Sequence, residues 1–540
     1  MAAAGVAPAG PDRMADLIHD LLVVGGGVNG TGIARDAAGR GLSVLLCEQD
    51  DLASHTSSAS SKLVHGGLRY LEQYEFRLVR EALIEREVLL AMAPHIIWPL
   101  RFVLPHSPEQ RPAWMIRLGL LLYDHLGGRK KLPASSKVDL RHDPAGAALR
   151  EQYTTGFAYA DCWVDDARLT VLTAVDARER GAAILTRTRC VDAKRHDGLW
   201  RAVLRPGQGG PDQVVRARCL VNATGPWVSR FLTEELGRPA LKRVRLVKGS
   251  HIVVPSLFDH AFAYILQNPD RRVVFAIPYE QDFTLIGTTD RDYDGDPAEA
   301  RITDEEIQYL CAAVSRYFRS PVTPDQVRWS YAGVRPLYDD ASADVSAVTR
   351  DYVFDLDAEN GMAPLLSVFG GKITTYRKLA EHALQKLQPV MKFGRGAWTD
   401  RAPLPGGDLP GADFERFLGD LGRRHGWLPG ALARRYGRAY GTRADALIGS
   451  ARRLEDLGEH LGDGLYEAEV EHLVRNEWAI SDEDILWRRS KLGLHVTGET
   501  AARLRAWLHG HLGAASVRSP DDAASQKRPE LEGLAHGPAR

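Results

Sequence analysis

A glycine-rich segment near the N-terminus has the residue types and spacing of a dinucleotide-binding turn. Gly25, Gly27 and Gly30 follow a short apolar run and fit the G-x-G-x-x-G pattern, in which glycines permit a tight turn, close backbone approach to a pyrophosphate and close helix packing. The helix expected next would direct its N-terminal amides at the phosphates. Glu48 ends the second apolar run, where a carboxylate can accept hydrogen bonds from ribose hydroxyls and would repel a 2′-phosphate. The pattern therefore favours FAD or NAD over NADP.

Size, charge and cysteine content restrict the class of protein. The chain has 540 residues, of which 44% are hydrophobic and 26% charged, a composition that suits two or three globular domains. Its 69 Lys and Arg residues balance 70 Asp and Glu residues, so no overall positive field favours nucleic acid. Five cysteines are scattered without C-x-x-C spacing, which argues against zinc or iron–sulfur ligation and suits the reducing cytoplasm. No apolar run is long enough to predict a membrane span.

The order of the predicted elements indicates a discontinuous cofactor domain. A serine-rich loop and a helical stretch follow the glycine turn, and a short buried strand with a small-residue turn returns only at Cys219–Gly225. Segments with β character at 250–255, 272–278 and 283–289 predict a sheet that covers the substrate. From about residue 400, apolar residues recur at helical spacing and predict a separate helical domain.

Six motifs, in the same order, closely resemble those of the aerobic, FAD-dependent glycerol-3-phosphate dehydrogenases. The motifs are Ser57–Tyr70, Asp161–Asp166, Asn222–Trp227, Lys248–His251, Gly333–Pro336 and Ser367–Tyr376. The resemblance runs from about Asp20 to Leu512 and leaves out both ends of the chain. It implies oxidation of sn-glycerol 3-phosphate to dihydroxyacetone phosphate, with FAD as cofactor and a membrane quinone as electron acceptor.

Together, the patterns and the resemblance predict an α/β fold. We expect a discontinuous Rossmann-like FAD-binding domain, an antiparallel-sheet substrate cap domain and a C-terminal α-helical domain. The expected boundaries are a disordered extension at 1–19, FAD-binding segments at about 20–95, 160–240 and 330–399, cap segments at about 96–159 and 241–329, a helical domain at 400–515 and a disordered tail at 516–540.

Several residues of these motifs are expected to contact the cofactor. Gly370 and Gly371 resemble the family's second flavin contact, where backbone amides that open a helix face the isoalloxazine. Thr224 and Gly225 would lie close to the adenosine or pyrophosphate part. The other expected contacts belong to the first turn, the serine-rich loop and the second turn, and are Asn29, Ser57, Ser60, Ser61, Lys62 and Thr374.

A substrate phosphate requires cations. Arg69 and Arg335 are the candidates, because a guanidinium pairs bidentately with phosphate oxygens and stays charged at any working pH. Arg350 is a weaker third candidate. Tyr70 is expected to shape the substrate pocket.

Oxidation of the alcohol also requires a group that accepts the hydroxyl proton. The candidates are His65, His251 and Lys372, and a histidine needs the least pKa adjustment to act near neutrality. Lys372 is expected instead to polarise the oxygen on carbon 2. The residues alone do not choose between the two histidines.

A quinone-linked enzyme needs a surface that reaches the bilayer. Residues 111–131 form an apolar stretch too short to span a membrane, edged by Arg111, Arg117, Arg129, Lys130 and Lys131. Such a segment is typical of an anionic membrane interface, and a buried helix of the cap domain is the alternative. We expect a cytoplasmic protein attached peripherally to the inner face of the cell membrane.

One segment resembles a metal-binding loop, and three other functions are alternatives. Residues 290–295 match the start of an EF-hand loop, but its twelfth position would be Arg301 rather than a bidentate Glu, so no metal is expected. An oxygen-using glycerol-3-phosphate oxidase, a nicotinamide-dependent dehydrogenase and a non-enzymatic flavin-binding protein are the alternative functions. The sequence leaves open which quinone is used and whether the protein is a homodimer.

Overall fold

The computed structural model describes residues 17–128, 131–240, 242–270, 272–338, 351–358 and 361–513. Its strands are β1 (Ile18–Val24), β2 (Val44–Cys47), β3 (Leu63–Val64), β4 (Ile97–His106), β5 (Ser136–Asp139), β6 (Thr155–Val164), β7 (Ala183–Leu185), β8 (Thr188–His196), β9 (Leu199–Pro206), β10 (Gln213–Asn222), β11 (Val244–Pro255), β12 (Ala263–Gln267), β13 (Val273–Tyr279), β14 (Phe283–Gly287), β15 (Arg291–Asp292), β16 (Trp329–Tyr338), β17 (Val353–Asp357), β18 (Leu365–Phe369), β19 (His460–Gly462) and β20 (Leu465–Tyr466).

The α-helices are α1 (Val28–Gly39), α2 (Phe76–Met92), α3 (Ala113–Leu126), α4 (Asp166–Glu179), α5 (Val228–Glu234), α6 (Asp304–Ser315), α7 (Tyr376–Met391), α8 (Phe414–Arg424), α9 (Gly430–Tyr440), α10 (Ala444–Ile448), α11 (Glu467–Glu477) and α12 (Gly498–Leu512). Among the described helices, none is both long and apolar enough to cross a membrane.

The first sheet forms the cofactor domain. Its order is β17-β18-β10-β1-β2-β7, and β1 lies parallel to both β10 and β2. The run Leu21–Val24 of β1 is buried, as expected for a central parallel strand covered by helices. Since β1, β2 and β10 end at the same edge of the sheet, their following turns meet there and form a crevice suited to a nucleotide. The predicted discontinuous Rossmann-like fold is confirmed.

The second sheet is the predicted cap. Its order is β15-β11-β14-β13-β12-β4-β6-β3, with β16 added to β11 and β5 to β6. All its pairs are antiparallel except β12 with β4. The cap sheet extends past the expected domain boundaries at about 160 and 330, because β6 and β16 cross these positions and belong to this sheet.

The helical domain carries its own core and is fixed to the cofactor domain by buried ion pairs. Tyr436, Leu461 and Leu504 are among its fully buried residues. Arg489 donates to Asp51 at 2.7 Å, and Arg168 of α4 pairs with Glu477. Removing one partner of such a buried pair would leave an uncompensated charge, so these contacts hold the domain in place.

The chain ends differ slightly from expectation. β1 begins at Ile18, inside the segment 1–19 that was predicted to be disordered. Residues 1–16 and the predicted tail at 516–540 lie outside the described residues. The five cysteines are all free and buried.

Candidate cofactor and substrate site

A cavity of about 830 Å³ lies where the cofactor sheet meets the cap sheet. Most predicted site residues line it, namely Gly25, Gly27, Asn29, Glu48, Ser57, Ser60, Ser61, His65, Tyr70, Thr224, Gly225, Arg335, Gly370, Gly371, Lys372 and Thr374. Four predicted residues lie outside its lining, namely Gly30, Lys62, Arg69 and His251. Arg350 lies outside the described residues.

The first glycine turn is too crowded for side chains. Gly25 has φ +115°, and a Cβ there would lie 2.5 Å from the carbonyl oxygen of Ala223. A Cβ on Gly30 would lie 1.9 Å from the carbonyl oxygen of Gly25. Gly30 therefore acts on the cavity indirectly, because it lets α1 begin tightly against the turn.

The start of α1 borders the cavity through Val28 and Asn29. Ser57 Oγ accepts a hydrogen bond from Val28 N at 2.9 Å. Asn29 Nδ2 donates to Gly370 O at 3.2 Å, so the two glycine turns are joined. Asn29 Oδ1 is buried with no partner among the described residues, as expected of an acceptor that a ligand would satisfy.

Glu48 closes β2 at the edge of the crevice. Its carboxylate accepts hydrogen bonds from Gly26 N at 2.6 Å and from Asp50 N at 2.9 Å. Burial raises the pKa of Glu48, and nearby His55 together with the two amides opposes this shift. A carboxylate offers about four acceptor sites, so the oriented oxygens keep capacity for ribose hydroxyls.

The second glycine turn has the conformation that only glycine adopts readily. Gly370 and Gly371 have φ values of +77° and +105°. They precede the short helix Ile373–Thr375, whose first residues Ile373 and Thr374 line the cavity, and then α7. Thr374 Oγ1 accepts a hydrogen bond from His65 N at 3.2 Å. Two glycine turns that line one cavity of about 830 Å³ fit an extended dinucleotide such as FAD.

A cationic corner lies at the cap side of the same cavity. Arg335 pairs with Asp290 and donates from Nη2 to Thr288 Oγ1 at 3.0 Å. Lys372 Nζ lies 3.9 Å from the ring centroid of Tyr70. This corner can bind an anion and can hold a positive charge close to a polar substrate atom.

The two candidate histidines differ in position. His65 lines the cavity, whereas His251 lies behind Ser61, whose Oγ is 2.9 Å from His251 Nε2. The His251 ring stacks on Tyr331 with centroids 4.8 Å apart. Burial lowers the pKa of His251 well below its ordinary value, and the charges of Arg335 and Lys62 add to this effect.

Asp166 is a site-supporting residue that the sequence reasoning missed. Its carboxylate accepts hydrogen bonds from Ser60 Oγ at 2.7 Å and from Lys62 Nζ at 2.8 Å. Lys62 is 1% exposed, so its contact with Asp166 is buried and stabilises the serine-rich loop. The motif Asp161–Asp166 could have indicated it, because a carboxylate that follows a buried strand is unusual unless it is paired.

Arg69 has a different setting from Arg335. It is half-buried in the short helix Leu68–Gln73. The adjacent Tyr70 lines the cavity, whereas Arg69 does not. Arg335, Lys372 and His65 line the cavity together, and Arg69 remains a candidate beside the lining residue Tyr70.

The chain matches proteins of known family over most of its length. The model of the FAD dependent oxidoreductases matches residues 20–377, and that of the C-terminal domain of alpha-glycerophosphate oxidase matches residues 397–509. The D-erythritol 1-phosphate dehydrogenase of Brucella abortus is 56% identical over 90% of this chain and 97% of its own length. The aerobic glycerol-3-phosphate dehydrogenase of Escherichia coli is 52% identical over 91% of this chain and 97% of its own length.

A solved structure agrees with these matches. The glycerol-3-phosphate dehydrogenase of Bacillus halodurans, complexed with FAD, has a TM-score of 0.75 and 28% sequence identity to this chain. The match covers 93% of this chain and 92% of the other. The family matches, the FAD complex and the glycine turns that fit a dinucleotide agree, so the chain belongs to the FAD-dependent glycerol-3-phosphate dehydrogenase family and takes FAD as its cofactor.

Proposed function

We propose that this protein oxidises sn-glycerol 3-phosphate to dihydroxyacetone phosphate. The observation that carries the proposal is that a dinucleotide turn, a guanidinium, an ammonium and an imidazole line one cavity. FAD, when bound, supplies the hydride acceptor for carbon 2. The names of the relatives from Escherichia coli and Bacillus halodurans support this substrate.

Arg335 and Lys372 hold the substrate in this proposal. Arg335 engages Thr288 and Asp290 with two of its donors, and a guanidinium has five N–H groups, so donors remain for the phosphate. Lys372 directs its ammonium at the oxygen on carbon 2 and stabilises negative charge that develops there. The Tyr70 ring beneath Lys372 keeps the ammonium in place.

His65 accepts the hydroxyl proton. Its place in the cavity lining and its backbone contact with Thr374 support this role. His251 lies one hydrogen bond further away and holds Ser61, and its lowered pKa makes it a poor proton acceptor. His65→Gln should lower kcat far more than His251→Gln at equal FAD content.

The test of the function is reduction of a soluble dye by the FAD-loaded protein in the presence of sn-glycerol 3-phosphate. Dihydroxyacetone phosphate should form in equal amount to the dye reduced. A protein that holds FAD and reduces no dye with this substrate would refute the proposal. Oxygen consumption without quinone would indicate the oxidase instead.

D-erythritol 1-phosphate is a second candidate substrate. The relative from Brucella abortus that is named for this substrate is as similar to the chain as the glycerol-3-phosphate dehydrogenases are. Both substrates combine a phosphate with a secondary alcohol, so the same cations and base serve either. The ratio of kcat/KM for the two compounds in one preparation decides between them.

We further propose that electrons pass to a membrane quinone at the cytoplasmic face of the membrane. The outer face of α3 supports this proposal through its exposed side chains, which are Trp114 (66% exposed), Leu118 (55%), Leu121 (46%) and Leu122 (42%). Tyr74 and Phe76, also exposed, lie on the neighbouring segment. A contiguous exposed apolar face of this kind is typical of an interaction or membrane surface.

The inner face of α3 corrects part of the expected membrane segment. Leu120 and Tyr123 are 1% and 2% exposed and pack in the cap core. The segment therefore combines both alternatives, a buried face and an exposed face. Arg111 and Lys131 are exposed at its edges, and Arg117 donates to Ser135. The other two basic residues, Arg129 and Lys130, lie outside the described part of the chain.

A further inference from the structure

We propose that Asp290 is a positioning residue for phosphate binding, which holds the Arg335 guanidinium in the orientation that receives the substrate. The inference rests on the proposed function, in which Arg335 binds the phosphate. Asp290 is the first residue of the segment that resembles an EF-hand loop, and it lies between β14 and β15. Its carboxylate pairs with Arg335 Nη1 across 45 residues of sequence.

Three neighbours restrict the guanidinium. Asp290 contacts Nη1, and Thr288 Oγ1 accepts from Nη2 at 3.0 Å. The third neighbour is the backbone of β11, because a Cβ on Gly249 would lie only 2.3 Å from Nη2. A long arginine side chain has many rotamers in solution, and contacts on two nitrogens and one face select one of them.

The loop that carries Asp290 is itself anchored. Thr289 Oγ1 donates to Glu306 Oε1 at 2.8 Å, and Ser250 Oγ donates to the same oxygen at 3.0 Å. Lys248 Nζ lies 2.9 Å from the other oxygen of Glu306. Glu306 is fully buried at the start of α6. The carboxylate of Asp290 therefore projects from a fixed backbone rather than from a free turn.

The charge of Asp290 shows which role it has. A carboxylate beside the phosphate site repels the substrate, so attraction cannot be its contribution. What it contributes is an acceptor at a fixed point, and the Oδ1 of asparagine can supply the same acceptor without the charge. Positioning therefore predicts that Asp290→Asn is tolerated and Asp290→Ala is not.

The experiment compares the steady-state kinetics of the FAD-loaded variants with dye as acceptor. Asp290→Ala should raise KM for sn-glycerol 3-phosphate by about tenfold or more, with kcat and FAD content changed less than about threefold, because one charge-assisted contact that orients the binding group is lost. Asp290→Asn should stay within about threefold of the natural protein in KM. Turnover of unphosphorylated glycerol should be equal in all three proteins.

Asp292→Ala is the matched control. Asp292 lies two residues further along and pairs with Arg245 at 2.6 Å, but its side chain is 57% exposed. The KM of the Asp292→Ala variant for sn-glycerol 3-phosphate should not change. An unchanged KM in Asp290→Ala, or an equal rise in Asp290→Ala and Asp290→Asn, would overturn the positioning role.

A fall in KM in Asp290→Ala would also overturn it, and would mean that Asp290 competes with the phosphate. If Arg335→Ala itself leaves KM unchanged, the assignment of Arg335 fails instead. If the natural protein does not oxidise the substrate, the proposed function fails. The failure of the positioning role, of the Arg335 assignment and of the proposed function can therefore be told apart.

Discussion

Two substitutions on the exposed face of α3 test the proposed membrane surface. The variant is Leu118→Glu with Leu121→Glu, whose side chains are 55% and 46% exposed. Full burial of a leucine contributes about 1.5–3 kcal/mol, so roughly half of that is available for each residue when lipid covers the face. Each added carboxylate also costs about 1 kcal/mol near an anionic surface.

The combined loss is about 4 kcal/mol, which corresponds to a decrease of several hundredfold in membrane partitioning. The assay is co-sedimentation with vesicles of anionic phospholipid, together with quinone reduction in those vesicles and dye reduction in solution. Vesicle binding and quinone reduction should fall, whereas dye reduction should stay, because the cavity residues are unchanged. Leu120 is left out because it is 1% exposed, and a glutamate there would disrupt the core.

The matched control is Met362→Glu with Val390→Glu. These side chains are 40% and 41% exposed on other parts of the surface, so the control adds the same charge elsewhere. Unchanged vesicle binding by the α3 variant, or an equal loss in the control, would refute the assignment of this face. A loss of dye reduction would mean that the exposed leucines support the active site.

The remaining predictions concern the cofactor, the phosphate and pH. FAD should be released into the supernatant by acid precipitation, since the turns hold it through backbone contacts, and flavin that stays with the pellet would contradict this. Gly30→Ala should abolish FAD binding, because the added Cβ would lie 1.9 Å from Gly25 O, as flavin absorbance of the purified variant would show. Arg335→Ala should lose roughly 2–4 kcal/mol of transition-state stabilisation with sn-glycerol 3-phosphate, which lowers kcat/KM about a hundredfold, and should lower kcat/KM for glycerol much less. An equal loss for both substrates would mean that Arg335 acts in the fold or in the chemistry. Burial, with Arg168 and Arg438 adding to it, lowers the pKa of His95 from 6.5 to about 3. Between those two values the unfolded chain binds the extra proton, so this group should lower the free energy of unfolding by about 2 kcal/mol between pH 7 and pH 5. In urea titrations at the two pH values, the free energy of unfolding of His95→Leu should fall by less.

The amino-acid sequence by itself determined the features that depend on local backbone and element order. The turn at Gly25, Gly27 and Gly30 follows from sterics within a few residues, and Glu48 follows from the end of the next strand. The cap strands and the helical domain were readable from periodicity, because burial of one face imposes it. Motif order added the family and with it the cofactor.

Only the tertiary structure decided which candidates share the cavity. Arg335 enters it because β16 pairs with β11 in a register that places Gly333 opposite Gly249, whereas Arg69 lies outside the lining although its neighbour Tyr70 belongs to it. The separation of His65 from His251, and the burial of Leu120 beside exposed Leu121, follow likewise from packing. Such choices depend on sheet register and on contacts between residues far apart in the chain, and a single sequence does not encode these in any local pattern.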